Sequence, residues 1–160
     1  MSPSDPVKID QPADDFHVVV RGNAKSFLQN VSVGSHHLQA DEPTTVGGSG
    51  AAPDPYDYLL AGLGACTSRT VGLYARKRKW PLEDVTVSLR HSRIHAKDCE
   101  DCETKDGLLH QIEVQVAMTG PLTAEQHTAL MAVAGKCPVH QALTSEIKIR
   151  LTDATKPVAS

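Results

Sequence analysis

Short runs of alternating or β-rich residues between positions 16 and 40 predict β-strands. Residues 16–21 are rich in β-branched side chains, residues 26–33 alternate between apolar and polar, and the turn signal Gly22-Asn23 separates the two segments. The two segments therefore predict a hairpin, and residues 38–40 predict a third, shorter strand. Residues 41–55 contain three Gly and three Pro among small polar residues, which predicts a loop with no core of its own.

The clearest helix is predicted over residues 56–79. Pro55 suits the first turn of a helix, and Asp54 is a natural N-cap. The first half of this segment is apolar on nearly all sides, which predicts deep burial. Its small residues, Gly62 and Gly64, leave room for another helix to approach closely.

The second half of the chain predicts two long strands, two further helices and a last strand. Strands are predicted at 82–95, 108–118 and 147–151, and a polar loop is predicted at 97–107. Helices are predicted at 124–134, with Thr123 as the N-cap, and at 138–143. This order indicates an α+β fold. The simplest interpretation is one domain over residues 16–152, with a flexible N-terminal tail at 1–15 and a C-terminal tail at 153–160.

Composition and charge exclude several classes of function. A formal net charge of -3 argues against nucleic-acid binding, which needs a clustered basic face, and the basic run Arg76–Lys79 is interpreted as the end of a helix. No stretch reaches the eighteen or so apolar residues that span a bilayer. The first fifteen residues lack an apolar signal-peptide segment, so we expect a cytoplasmic protein whose four cysteines act as thiols or metal ligands.

Two cysteines lie where thiol chemistry could occur. Cys66 lies in the most apolar stretch, where a cysteine can equally be a small core residue. Burial there raises a thiol's pKa, so a reactive Cys66 needs a nearby cation, and an arginine is the natural choice. Cys137 precedes Pro138 at the start of a helix, a position that favours thiolate, and Lys136 adds to this effect, although a structural role is equally open.

The pair is more informative than either cysteine alone. If the two helices pack together, a thiolate could attack a peroxide, and the second thiol could condense with the resulting sulfenic acid to form a disulfide. A cellular reductant would then restore both thiols. Apolar surroundings would favour organic hydroperoxides over a small hydrated oxidant.

A second pair, Cys99 and Cys102, forms a CxxC motif in an acidic loop. The motif is compatible with an inert surface loop, with a metal site or with a disulfide. A zinc site would need further ligands from the histidines of the flanking strands, such as His91, His95 or His110. The acidic neighbours would raise thiol pKa values, which makes a reactive redox motif less favourable.

The segments around Cys66 and Cys137 resemble the two cysteine helices of the OsmC/Ohr family. The first is Asp54-Pro55-Tyr56-Asp57-Tyr58-Leu59-Leu60-Ala61-Gly62-Leu63-Gly64-Ala65-Cys66-Thr67-Ser68, and the second is Lys136-Cys137-Pro138-Val139-His140-Gln141-Ala142-Leu143. The upstream Asp41-Glu42-Pro43 and Gly47-Gly48 are also similar to the loop of OsmC-like proteins, and the resemblance covers roughly residues 16–152.

The resemblance implies an OsmC-like fold in an intertwined homodimer, with mixed sheets around the central cysteine-bearing helices and active sites at the subunit interface. It implies an antioxidant, thiol-dependent peroxidase that reduces organic hydroperoxides. Cys66 would attack the peroxide, Cys137 would resolve the sulfenic acid, and Arg21 would stabilise the thiolate. An external dithiol reductant and no resident cofactor are expected.

The sequence departs from the Ohr-type pattern at one position. Tyr56 stands where those enzymes have the glutamate that pairs with the arginine, and Asp57 or Glu42 would have to substitute for it. The Cys99/Cys102 loop resembles that of an OsmC-like subgroup, some members of which are fused to hydrolases. Two alternatives therefore stay open: a metal- or ligand-binding module with zinc at the CxxC motif, or a redox sensor with little turnover.

Overall fold

The computed structural model describes residues 16–155, which fall into two compact units divided after Tyr58. The predicted tail at residues 1–15 and the last five residues of the predicted C-terminal tail lie outside this range. The secondary structure is mixed α and β, as the sequence predicts. Each unit is described below by itself.

The first unit is built on a three-stranded antiparallel sheet in the order β1-β2-β3. The strands are β1 (Val18–Arg21), β2 (Gln29–Val33) and β3 (His36–Ala40). β3 starts two residues earlier than predicted because the turn before it is tight: Gly34 has a φ of 57°, a value that favours glycine. Its N–H donates to the carbonyl of His17 at 3.0 Å, which continues the pairing of β2 with β1 by one residue.

The loop that follows β3 is organised around one buried carboxylate, Asp41. Asp41 accepts hydrogen bonds from the N–H groups of Glu42, at 2.8 Å, and Ala51, at 3.1 Å, and from the hydroxyl of Ser49. These donors, the Ser49 hydroxyl first, hold the pKa of Asp41 below its ordinary value. The predicted loop is thus a defined structure, with a short 3-10 turn at Thr44–Val46.

The second unit combines a long hairpin with helices. Its elements are α1 (Pro55–Arg78, which begins at the end of the first unit), β4 (Val85–His95), β5 (Leu108–Met118), α2 (Ala124–Ala134) and α3 (Pro138–Leu143). β4 and β5 pair antiparallel along their whole length, with Leu89 opposite Val114. Thr123 and Gln126 form a capping box at the start of α2, which confirms the predicted cap.

The strand predicted at residues 147–151 is wrong. This segment has no strand structure in the described part of the chain, and Ile149 is 83% exposed. The alternation of Ile147, Ile149 and Leu151 produced the prediction, but a strand forms only where a neighbouring strand satisfies its backbone N–H and C=O groups.

Two apolar clusters form the core of the second unit. One contains Val71, Ala75, Leu130 and Ala134, and the other contains Leu63, Cys66 and Cys137. α1 contributes to both through a single buried face, whereas Ala61 and Ala65 on the opposite side are exposed. The prediction that its first half is buried all round is therefore wrong for a single chain.

Gly64 shows what packs against the buried face of α1. A Cβ at this position would lie 2.7 Å from Cδ1 of Leu89 on β4. The glycine thus allows the hairpin, rather than another helix, to approach α1 closely. None of the helices in the described residues has both the length and the apolar character needed to span a membrane.

Candidate active site

Cys66 and Cys137 meet in the second apolar cluster. Cys66 lies on the buried face of α1 and is 8% exposed, while Cys137 is the N-cap of α3 and is fully buried. Both are free thiols. Partly buried apolar side chains surround them: Leu89, Ile112, Val139 and Leu143. The sequence expectation that two helices bring these thiols together is met.

Cys137 is held by a backbone amide and a hydroxyl. The N–H of His140 donates to Cys137 Sγ at 3.2 Å, and Thr67 Oγ1 lies 3.6 Å from the same sulfur. The Thr67 hydroxyl already donates its only proton to the carbonyl of Leu63, at 2.9 Å. Thr67 therefore contacts the Cys137 sulfur without donating to it, and the single proton of the Cys137 thiol is left for Cys66.

The pKa of the Cys66 thiol is lowered from its ordinary value despite its burial. Burial raises the pKa, but hydrogen bonds from the Val139 N–H, the Cys137 thiol and the Arg69 side chain together outweigh it. The Thr70 hydroxyl contributes least, since its proton is also directed at the carbonyl of Cys66, 2.8 Å away. Donors to a thiolate stabilise the charged form, so these neighbours favour the thiolate of Cys66.

Arg69 is the site residue that sequence reasoning missed. The buried cysteine was expected to need an arginine, and Arg69 lies three positions after Cys66 on α1, where helical side chains are neighbours. This spacing was the available signal. The family resemblance points to Arg21 instead.

Comparison with known families places this arrangement in context. The family model for OsmC-like protein matches residues 47–152, a range that includes both cysteines. The chain belongs to the OsmC-like family.

Solved OsmC-like structures share the fold at low sequence identity. A Legionella pneumophila organic hydroperoxide resistance protein OsmC is 22% identical with a TM-score of 0.58, covering 82% of this chain and 91% of that one. An OsmC-like protein from Mycoplasma pneumoniae is 19% identical with a TM-score of 0.62, and the match covers 82% of this chain and 88% of that one. The Bacillus subtilis organic hydroperoxide resistance protein OhrB is 18% identical with a TM-score of 0.55, and the match covers 79% of this chain and 88% of that one. No curated protein matches the chain.

Four predicted site residues of this OsmC-like chain lie in its first unit. Arg21 ends β1 and is exposed, as is Tyr56 at the start of α1. Asp57 and Asp54 cap α1 reciprocally: the Asp54 N–H donates to Asp57 Oδ2 at 3.0 Å, and the Asp57 N–H donates to Asp54 Oδ1 at 2.8 Å. Glu42 lies in the loop built on Asp41. The catalytic roles of Arg21, Tyr56, Asp57 and Glu42 stay predictions.

The Cys99/Cys102 motif contains a disulfide in the structure. Of the alternatives that the sequence left open, this is the one found. The expected histidine ligands do not join it: His91 and His110 contact each other, with 2.9 Å between Nε2 and Nδ1. Within residues 16–155, the one group with ligand atoms close enough to share a metal ion is Cys99, Asp101 and Cys102.

Proposed function

We propose that this OsmC-like protein is a thiol-dependent hydroperoxide reductase in which Cys66 is the peroxidatic cysteine and Cys137 the resolving cysteine. The observation that carries the proposal is a thiol of lowered pKa, Cys66, that accepts a hydrogen bond from a second thiol, Cys137, in an apolar site. A low-pKa thiol beside a resolving thiol is the arrangement that peroxide reduction requires.

The proposed cycle uses each group once. The Cys66 thiolate attacks the O–O bond, giving a Cys66 sulfenic acid and an alkoxide that leaves as the alcohol after taking a proton. The Cys137 thiol then attacks the Cys66 sulfur and releases water, so that a Cys66–Cys137 disulfide forms. An external dithiol reduces this disulfide by exchange and restores both thiols.

The apolar surroundings support an organic hydroperoxide as substrate. Leu89 and Ile112 of the hairpin and Val139 and Leu143 of α3 pack around the two sulfurs, and an alkyl or aryl group gains free energy by leaving water at such a surface. The solved relatives named as organic hydroperoxide resistance proteins support the same substrate class.

Two arginines receive different roles in this proposal. Arg69 stabilises the Cys66 thiolate from within the same helix. Arg21, exposed at the end of β1, is proposed to orient the peroxide at a subunit interface. Tyr56, Asp57 and Glu42 stay as candidates to support Arg21, although the Asp57 carboxylate already caps α1.

We further propose a homodimer. Val18, Val20 and Leu38 lie on one face of the first unit's sheet, and all three are exposed. In the second unit, Leu59 and Leu73 of α1 are also exposed, and a Cβ at Gly62 would meet no atom within 4 Å. Groups of exposed apolar side chains are typical of interfaces between subunits. A cytoplasmic location, where thiol reductants are present, is part of the proposal.

The test is steady-state reduction of cumene hydroperoxide with dithiothreitol or dihydrolipoamide as the reductant. The reduced wild-type protein is expected to consume hydroperoxide catalytically, and Cys66→Ser is expected to reduce the rate to that of the reductant alone. Thr70→Ser, which keeps a hydroxyl beside the site, serves as the control and should remain active. Failure of the wild-type protein to turn over with either dithiol would refute the proposal, and disulfide formation without turnover would favour a redox sensor.

A further inference from the structure

The β4–β5 hairpin packs against the Cys66 cluster through its strands. The loop at its tip contains a second, separate cysteine pair, Cys99 and Cys102. Cys66 packs against Leu89 and Ile112, whereas the loop with Cys99 and Cys102 begins after His95. Four to six residues of strand separate the two levels, a distance of roughly 13–20 Å at about 3.3 Å per residue. Direct exchange between the two thiol pairs of one chain is therefore excluded in this conformation.

The loop is held in shape at its base and at its first turn. The Ala96 N–H donates to the carbonyl of Gly107 at 2.8 Å and closes the loop, and Ala96 is buried. The Cys99 N–H donates back to the carbonyl of Ala96 at 3.2 Å. The two cysteines are thus presented by a closed loop, with their Cα atoms 5.4 Å apart.

A carboxylate completes a set of potential metal ligands. Asp101 Oδ1 lies 3.3 Å from Cys99 Sγ, and one ligand atom from each of Cys99, Asp101 and Cys102 lies within 4.8 Å of the other two. Once the disulfide is reduced and the sulfurs separate, two thiolates and one carboxylate oxygen of this loop can share a tetrahedral zinc-type ion, whose ligands stand about 2.0–2.3 Å from the metal. Reduction of the disulfide is required, because thiolates are the ligands.

The charge of the loop favours a cation over a reactive thiolate. Residues 97–107 contain five acidic side chains against two lysines. This field attracts a dication, whose own charge supports thiolate ligands. The acidic setting therefore fits metal binding better than a second peroxidatic centre.

We propose that the hairpin tip is a redox-gated binding site for a zinc-class dication, formed by Cys99, Asp101 and Cys102 in the dithiol state. Three protein ligands leave one coordination position for water. A hydroperoxide gates the site: its O–O bond breaks, the two thiolates together lose two electrons and form the disulfide, and two protons from solvent allow the peroxide oxygens to leave as an alcohol and water. The disulfide supplies no thiolate, so the metal ion is released.

The test uses Co²⁺, because cobalt–thiolate bonds absorb strongly in the near ultraviolet. Reduced, metal-free protein with Cys66→Ser and Cys137→Ser is titrated with Co²⁺ and then with competing Zn²⁺. We expect one cobalt per chain with a sulfur-to-cobalt band, displaced by Zn²⁺, and loss of the band after oxidation by hydrogen peroxide. If this background folds poorly, the difference spectrum between wild-type protein and Cys99→Ser/Cys102→Ser gives the same readout.

Matched acidic variants test the carboxylate. Asp101→Asn is expected to weaken cobalt binding at least tenfold, whereas Glu103→Gln, which removes the same charge from the same loop, is expected to change it by less than threefold. Absence of a sulfur-to-cobalt band in the reduced protein, or equal bands with and without Cys99 and Cys102, would overturn the proposal. Equal effects of the two acidic variants would remove Asp101 from the ligand set.

Discussion

At the scale of single residues, the proposed reaction requires the buried thiol of Cys66 to have a lowered pKa. Cys66 has lost most of its water, which alone would keep it protonated. The N–H of Val139, the thiol of Cys137 and the side chain of Arg69 provide the opposing hydrogen bonds. A cysteine in an apolar core is ordinarily a small hydrophobic residue. The neighbours that α1 and α3 place around Cys66 are what lower its pKa.

Arg69→Met tests this balance. Removing the donor raises the pKa of Cys66, so the thiolate appears at higher pH and less of it is present at neutral pH. We expect alkylation of Cys66 by iodoacetamide, followed by peptide mass spectrometry, to show a pH midpoint displaced upward. The neutral-pH rate should fall roughly tenfold, because a hydrogen bond to a charged group contributes about 1.5 kcal/mol. Arg76→Met, at the exposed end of the same helix, should leave the profile unchanged, and identical profiles for both variants would contradict the assignment.

At the scale of elements, the close contact of α1 with β4 sets the position of Cys66. Gly64 permits this contact, because any side chain there would meet Leu89, and Leu89 also packs against the cysteine cluster. The contact links the backbone of the helix directly to the hairpin.

Gly64→Ala should therefore destabilise the protein by about 1–3 kcal/mol, the usual cost of overpacking. Gly72→Ala, in the same helix but with no atom within 4 Å of its added Cβ, should be neutral or stabilise by up to about 1 kcal/mol, since alanine favours helix. Urea unfolding at one fixed protein concentration measures both. A Gly64→Ala protein as stable as Gly72→Ala would show that the helix and hairpin are not in close contact.

The sequence predicted the elements well where a pattern was long or chemically marked. The eleven-residue strands β4 and β5 and the capping box at Thr123 are examples. It failed at residues 147–151, because alternation shows only that a segment could pair and does not supply the pairing strand. For the candidate site, spacing and flanking residues singled out Cys66 and Cys137, and the spacing of three residues on α1 could have added Arg69. The Val139 N–H reaches Cys66 only through the packing of α3 against α1, which no local pattern encodes.

At the scale of the whole molecule, the proposed homodimer is supported by exposed apolar side chains. Val20 is 54% exposed on the apolar face of the β1–β3 sheet, a face that also carries Val31 and Leu38. The proposed dimer would cover this face.

Val20→Asp should shift the protein from dimer toward monomer in sedimentation-velocity experiments, because an uncompensated carboxylate at a buried apolar contact is strongly unfavourable. Asn30→Asp adds the same charge to the other face of the sheet, where Asn30 accepts a hydrogen bond from Gln39, and should leave the dimer intact. A monomeric wild-type protein, or a Val20→Asp protein that dimerises as well as Asn30→Asp, would contradict the homodimer.

The proposed function requires Cys66 and Cys137 to reduce a hydroperoxide together. A single-turnover experiment measures this step. Reduced protein is mixed with one equivalent of cumene hydroperoxide, and its disulfides are mapped by peptide mass spectrometry without reduction. The proposed cycle predicts a Cys66–Cys137 disulfide in the wild-type protein. In Cys137→Ser it predicts a sulfenic acid on Cys66 that dimedone traps. If the hydroperoxide persists, or if it oxidises only Cys99 and Cys102 while Cys66 and Cys137 stay as thiols, the claim is wrong.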